Sequence, residues 1–150
     1  MAETSDPALF ERGRMILSAM PFYRALNVSI TSVEQGAVTL EAPLSPAFEA
    51  PPGAFAASSV GVLGDMAAIS AIGSALPLGQ AASTMDFTVK MLGLSQGTVL
   101  RASGTSRQIG KTTCVGAADI YVGNGDQFTL CGTLLATVRR LDLTSLIGRA

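Results

Sequence analysis

The chain has 150 residues; 48% are hydrophobic, 14% are charged, and the formal net charge is −1. This length predicts one domain, and the composition is too apolar for a disordered chain. Scattered Lys and Arg without a net positive charge give no indication of nucleic-acid binding or of a basic membrane-binding patch. Two cysteines do not make a disulfide framework, so we expect a reducing, cytoplasmic setting.

The chain contains no histidine. Its absence excludes Ser-His-Asp and Cys-His nucleophile pairs, a histidine general base and histidine-ligated zinc. Two cysteines and eleven scattered acidic residues do not suggest another metal site. Any chemistry must therefore use carboxylates, hydroxyls, backbone amides, or Lys and Arg side chains.

The first predicted element is a helix that begins at Asp6 and ends at Pro21, because Asp is a favoured N-cap and Pro7 suits the first turn. Residues 26–45 alternate apolar and polar positions around a Glu-Gln-Gly turn, which predicts a β-hairpin. A proline-rich loop follows over residues 45–55.

The stretch from Ser58 to Gly73 is rich in alanine and poor in β-branched residues, which predicts a helix of about 18 residues. Glycines weaken it as an isolated helix, but they would allow a surrounding sheet to approach closely. Residues 54–76 are long enough to span a membrane. Their mild hydrophobicity and the central Asp65, which is costly in lipid, argue against a span.

Only strands are predicted after this helix, over residues 80–92, 97–110, 111–122 and 127–141. The order lacks the βαβ alternation of a Rossmann-type domain. It predicts an α+β fold in which one antiparallel sheet curls around one central helix.

Asp65 is the one charge in the central helix. On a helix it shares a face with Gly61, Val62, Ala68 and Ile69, which predicts that this face is buried. A carboxylate there needs a partner or a function. In the structural interpretation, it bonds to a backbone amide or pairs across a dimer seam.

The start of the helix favours a functional interpretation. A helix N-terminus presents unpaired N–H groups and a positive dipole end, and Asp65 lies about two turns further along. An acyl carbonyl held there would have its oxygen bound by N–H groups, with a carboxylate in the next layer of the pocket to attack it or to activate water. That is the minimum equipment for thioester hydrolysis without histidine.

The segment PPGAFAASSVGVLGDMAA, residues 51–68, resembles hotdog-fold acyl-CoA thioesterases of the phenylacetate-degradation type. That family carries His-Gly-Gly, six residues and then Asp at the start of its central helix; Ala56, Ala57 and Ser58 stand at the first three positions here. The strands STMDFTVKML and GTVLRASGTSRQIGKTTCVGAADIYVGNGDQFTLCGTLLATVRRL are similar to those that follow. The resemblance covers residues 22–142 and implies a hotdog fold, a curved antiparallel sheet wrapped around one long helix.

The resemblance also implies roles for individual residues. Asp65 matches the catalytic carboxylate, Ser58 the second glycine, whose N–H holds the thioester oxygen, and Ala57 the first glycine. Ser83 lies where some members place a Ser or Thr that orients water, commonly across a dimer interface; an ordinary strand hydroxyl is the alternative. Ala56 replaces the histidine, so any role of that imidazole is lost.

Four basic residues on or between the predicted strands are candidates for contact with the CoA phosphates: Lys90, Arg101, Arg107 and Lys111. The best candidates are Arg107 and Lys111, which flank a Gln-Ile-Gly bend. The alternative for each is an ordinary solvated charge on a strand. The acyl pocket depends on how Phe22, Phe48, Phe55, Met85 and a dimer partner pack.

We therefore predict an acyl-CoA thioesterase with Asp65 as nucleophile or general base, and no metal or redox cofactor, since CoA enters with the substrate. The resemblance implies a homodimer or a dimer of dimers, without nucleic-acid or membrane partners. The alternative is a hotdog protein that binds acyl-CoA or another lipophilic ligand without hydrolysing it. A dehydratase or hydratase is disfavoured, because those hotdog enzymes rely on a histidine. The expected organisation is an N-terminal helix over residues 1–20, the hotdog domain over 21–142 and a short tail over 143–150.

Overall fold

The computed structural model describes residues 6–144. Its elements in chain order are α1 (Pro7–Ala19), α2 (Pro21–Ala25), β1 (Ser29–Glu34), β2 (Ala37–Pro43), a 3₁₀ turn (Pro46–Phe48), α3 (Ala57–Ala75), β3 (Gln80–Met91), β4 (Val99–Ile109), β5 (Thr113–Asn124) and β6 (Gln127–Asp142). The predicted hairpin, long helix and four strands are confirmed. Most of the predicted tail, residues 145–150, lies outside the described residues, as do residues 1–5.

The N-terminal region contains two helices where the sequence predicted one. The Asp6 side chain accepts hydrogen bonds from the amides of Ala8 and Leu9 at 2.9 and 3.2 Å, which confirms the predicted N-cap. Pro21 ends α1, as expected, but it is also the first residue of α2. Proline is well suited to that position because the first helical residue needs no N–H donor.

The six strands form one antiparallel sheet in the order β1-β2-β4-β5-β6-β3, so β1 and β3 are its edges. In β3, Ser83 lies opposite Arg139 and Thr84 opposite Val138 of β6. The register then shifts between Thr84 and Asp86, which marks a β-bulge at Met85. This bulge sets which side chains of β3 face α3.

The central helix packs very closely on the sheet, and glycines in the strands permit the contact. A Cβ atom on Gly104 of β4 would lie 2.1 Å from the carbonyl oxygen of Ala67, and one on Gly116 of β5 would lie 3.0 Å from that of Ala68. The close approach predicted at the helical glycines also occurs: a Cβ on Gly64 would meet Ile120 and Leu134 at 3.0 and 3.1 Å. The core therefore lies between α3 and one face of the sheet.

By length and mean hydropathy, 1.2 over its 18-residue window, α3 is the one helix among residues 6–144 that could cross a membrane. Within the protein, 56% of that window is buried. The core helix of a soluble protein has the same character, so the composition of α3 is explained by its position inside the sheet.

Candidate functional site

Asp65 lies at the border of the buried surface of α3. Its neighbours Gly61 and Ala68 are buried, whereas Val62, Ile69 and Asp65 itself are half-buried. The expectation of a fully buried face was therefore wrong for this part of the helix. The sheet packs on the side that carries residues such as Ala67 and Ala71, and the described chain leaves the Asp65 side partly open.

A threonine on the neighbouring edge strand holds the carboxylate. The Thr84 hydroxyl donates a hydrogen bond of 2.9 Å to Oδ1 of Asp65. Ser83, the residue that the sequence singled out, precedes it and lies opposite Arg139. Because adjacent residues of a strand point to opposite faces, Ser83 lies on the outer face of the sheet, away from Asp65 in the same chain.

Partial burial perturbs the acid–base chemistry of this site. Desolvation raises the pKa of Asp65 above its ordinary value, and the hydrogen bond from Thr84 opposes that rise. Desolvation also raises the pKa of Tyr23, the negative charge of Asp65 raises it further, and hydrogen bonding with Ser70 opposes the shift. Sequence reasoning missed this effect of Asp65 on Tyr23, because nothing in the chain order relates α2 to Asp65.

The N-terminus of α3 presents free donors. The amides of Ser59 and Val60 donate to the carbonyl oxygen of Ala56 at 3.0 and 3.2 Å. Those of Ala57 and Ser58 have no acceptor among residues 6–144, and the N-cap residue provides no side-chain cap. Both residues are exposed. The structure thus gives Ala57 and Ser58 the free N–H groups that an oxyanion site requires.

Of the candidate basic residues, Arg101 donates a 2.7 Å hydrogen bond from Nε to Oε1 of Glu41, and the other three lie at two places. Lys111 is in the turn between β4 and β5, and this turn contacts Arg140 through a 3.2 Å bond from the guanidinium to the Gly110 carbonyl oxygen. Arg107 occupies a bulge near the same end of the sheet, where the exposed Arg139 also lies. Lys90 of β3 lies opposite Thr133. From the rise per residue of a strand, it is about 20 Å from Ser83, the residue of β3 that lies opposite Arg139.

The apolar candidates are also divided. Phe48 and Phe55 border a cavity of about 10 Å³ beside the N-terminal half of α3, which holds no more than one water-sized sphere. Phe22 and Met85 are exposed at 56% and 61%. The described chain therefore contains no preformed acyl pocket among these four side chains. Residues 6–144 also contain no group of three or more metal-ligating side chains.

The architecture is shared with solved structures of thioesterase proteins. A thioesterase family protein of Silicibacter pomeroyi superposes with a TM-score of 0.84 at 23% identity, covering 89% of this chain and 98% of its own. A thioesterase of Haemophilus influenzae gives 0.79 at 17% identity, covering 95% and 94%. The PaaI protein of the E. coli phenylacetic acid degradation operon gives 0.77 at 19% identity, covering 89% and 93%.

The chain has the hotdog fold. The predicted fold class is thereby confirmed, including the curved antiparallel sheet around one long helix. No family model and no curated protein matches the sequence. At identities of 17–23%, these similarities establish the hotdog architecture, and function must be argued from the site.

The contact between Thr84 and Asp65 generates a prediction about charge. Thr84→Val keeps the shape of the side chain and removes its hydroxyl, so the pKa of Asp65 should rise further above its ordinary value. A carboxyl-carbon NMR titration measures this, with Asp65→Asn identifying the signal. The matched control Ser83→Ala changes a hydroxyl on the opposite face and should leave the titration unchanged. An equal response from both variants would contradict the assignment.

Proposed function

We propose that the protein hydrolyses acyl- or aryl-CoA thioesters to the free acid and CoA. Asp65 either accepts a proton from water that attacks the carbonyl carbon, or attacks that carbon itself and forms a mixed anhydride, which water hydrolyses to the free acid after the thiolate has left. The carbonyl oxygen gains negative charge and binds the free amides at the start of α3. The C–S bond then breaks, and the CoA thiolate leaves and takes up a proton. The observation that carries this proposal is a half-buried carboxylate with a raised pKa on the same helix as two unpaired amides.

The spacing within one helix favours a site shared by two subunits. Ser58 and Asp65 are seven residues apart, or about 10.5 Å along the axis. A substrate carbonyl has its oxygen about 3 Å from an amide nitrogen and its carbon about 3.5 Å from a carboxylate oxygen. Together these contacts span less than the distance between Ser58 and Asp65. Two α3 helices packed antiparallel about a two-fold axis would instead place Asp65 of one copy beside the amides of the other.

The edge strand β3 supports this assembly. Within residues 6–144 it pairs on one side only, with β6, from Gln80 to Met91. Met85, Phe87 and Met91 are exposed at 61%, 42% and 39%. A long edge with exposed apolar side chains invites pairing with another strand. We therefore propose a homodimer across β3 that covers the open side of α3 and completes the acyl pocket.

The basic residues at the end of the sheet fit the phosphate groups of CoA. Arg107, Lys111 and Arg139 lie together there, near the end of β3 that carries Thr84. Arginine and lysine bind phosphate oxygens through charge-assisted hydrogen bonds. The pantetheine arm would extend from this cluster around the end of the sheet to Asp65. We also propose a cytoplasmic location, since Cys114 and Cys131 are both buried and unpaired.

Replacement of the carboxylate tests the proposed activity. On a panel of short, medium, long and aryl CoA thioesters, wild-type protein should release thiol, and Asp65→Asn should lower kcat about 10³-fold. Asp126→Asn is the matched control, because Asp126 is an exposed carboxylate in the turn between β5 and β6, and it should retain wild-type activity.

The same panel distinguishes the alternative function. Ala56, Ala57 and Ser58 stand where the family carries His-Gly-Gly, so a binding protein without turnover is the second candidate. Wild-type protein that binds one of the thioesters, measured by calorimetry, and releases no thiol from any would refute the enzyme and support the binding protein.

A shared site predicts complementation between two inactive variants. Ala57→Pro removes one amide donor, and Ala56 at φ −61° and ψ 147° already has the conformation that a following proline requires. We expect it to lower kcat about 100-fold. Ala57→Pro and Asp65→Asn refolded together should then recover about a quarter of wild-type activity, since half of the dimers carry one intact site. No recovery in proven heterodimers would show that the site lies within one chain.

The basic cluster predicts a selective effect on substrate binding. Arg139→Ala or Lys111→Ala should raise KM for an acyl-CoA about tenfold and leave kcat unchanged. KM for the matching N-acetylcysteamine thioester, which lacks the nucleotide, should not change. Arg14→Ala, which removes an exposed cation of α1 outside the proposed site, is the control for both substrates. A rise in KM for both thioesters would show instead that the basic cluster affects binding of the acyl part of the substrate.

A further inference from the structure

The outer face of β3 carries two opposite charges. The strand pairs with β6 on one side, and it exposes Asp86, Thr88 and Lys90 on the face away from α3. Among residues 6–144 neither Asp86 nor Lys90 forms an ion pair. They are four residues apart on one strand, or about 13 Å, which is too far for them to pair with each other. Both charges are therefore available to a group outside the described chain.

Symmetry limits how two copies of β3 can pair. Two identical edge strands that pair antiparallel are related by a two-fold axis perpendicular to the sheet, so both copies of α3 lie on the same side. Side chains that are directly opposite each other point to the same face of the sheet. One residue of β3 must therefore lie on the axis, opposite the same residue of the partner.

The central helix locates this axis along the strand. If Asp65 lies beside the free amides of the partner, the axis passes midway along α3 between those amides and Asp65, near Gly61. A Cβ atom on Gly61 would lie 3.5 Å from Phe87 and 3.6 Å from Val89. Gly61 is therefore level with the residue between these two, Thr88.

The charges of β3 select the same register independently. With Thr88 on the axis, Asp86 lies opposite the partner's Lys90 on both sides of the axis, and two pairs of opposite charge form. Thr88 then faces the partner's Thr88, which is also a favourable cross-strand pair. An axis at Asp86 or Lys90 would place like charges opposite each other, which is destabilising. An axis at Phe87 or Val89 would pair neither charge with its opposite.

We propose that two copies of the chain pair antiparallel through β3, with Thr88 on the two-fold axis and Asp86 of each copy bound to the partner's Lys90. In this register, Asp65 and the partner's Ser58 differ by about 1.5 Å along the helix direction, compared with about 10.5 Å within one chain. The second copy thereby completes the site. The register deepens the proposed dimer, and its bearing on Asp65 rests on the proposed thioesterase function.

Single cysteine substitutions test the register. Opposite residues of an antiparallel pair have Cα atoms about 4.5–5.5 Å apart, within the range of a disulfide. With oxidised glutathione as the oxidant, Thr88→Cys should give a linked dimer on a non-reducing gel. Wild-type protein should not, since Cys114 and Cys131 are buried. A wild-type chain that is monomeric in solution, or a Thr88→Cys variant that does not link, would overturn the proposal.

Two further cysteine variants serve as matched controls. Asp86→Cys and Lys90→Cys should each stay unlinked alone, because each cysteine lies about 13 Å along the strand from its own copy. An equal mixture of the two should form a linked heterodimer, in which the other charge pair remains intact. Linkage of either variant by itself would show a different register.

Charge reversal measures the proposed ion pairs without cysteine. Asp86→Lys places like charges opposite each other on both sides of the axis, so the dissociation constant of the dimer at low salt should rise about tenfold. Adding Lys90→Asp restores opposite charges and should return the constant to within about threefold of wild type. Asp126→Lys, the same change in the turn between β5 and β6, is the control for sedimentation equilibrium. Equal weakening by the single and double variants would contradict the pairing.

The register and the proposed function fail in different ways. Linkage of Thr88→Cys, together with no thiol release by wild-type protein from any CoA thioester, would support the register and refute the thioesterase. Thiol release by wild-type protein without linkage at Thr88 would refute the register and leave the activity established.

Discussion

The contact between the backbone of α3 and the strands beneath it governs the rest of this molecule. The carbonyl oxygen of Ala67 in α3 lies so close to Gly104 that a Cβ atom at this position would clash with it. Such contact leaves no layer of side chains between helix and strand at this point. The sheet must therefore curve around α3, and the small residues along the helix are the consequence. One face of α3 packs against the sheet. The border of the helix that carries Asp65 is not covered by the sheet and is partly exposed.

The site combines two effects that usually oppose each other. A carboxylate at the edge of a core is destabilised in its charged form, while a hydroxyl donor and solvent access keep that form attainable. A carboxylate with a raised pKa is a stronger base than an exposed aspartate. The uncapped N-terminus of the same helix adds two amides, of Ala57 and Ser58, that have no acceptor among residues 6–144. Neither element requires a histidine, in agreement with the composition of the chain.

The sequence predicted the architecture well because its signals are local. The Asp6-Pro7 start of α1, the Glu-Gln-Gly hairpin turn and the alternating strands each depend on neighbouring residues, and the structure confirms them. The surroundings of Asp65 depend on contacts between distant segments. The bulge that turns Thr84 inward has no marker in the sequence. Tyr23, whose pKa is raised by the charge of Asp65, lies on a five-residue helix whose first residue the sequence indicated only as the end of α1. Strand alternation without the bulge gave no means of choosing between Ser83 and Thr84.

The bulge at Met85 divides β3 into two parts that make different contacts with α3. On one side of it Thr84 faces Asp65, and on the other Phe87 and Val89 pack against Gly61 of α3. Thr84 and Phe87 are an odd number of positions apart, so in a regular strand they would lie on opposite faces. The single extra residue lets both point inward. As a result, a substitution in the polar half of β3 need not alter the packing of its apolar half. The strand directs both a hydrogen-bonding group and a packing surface at the same helix.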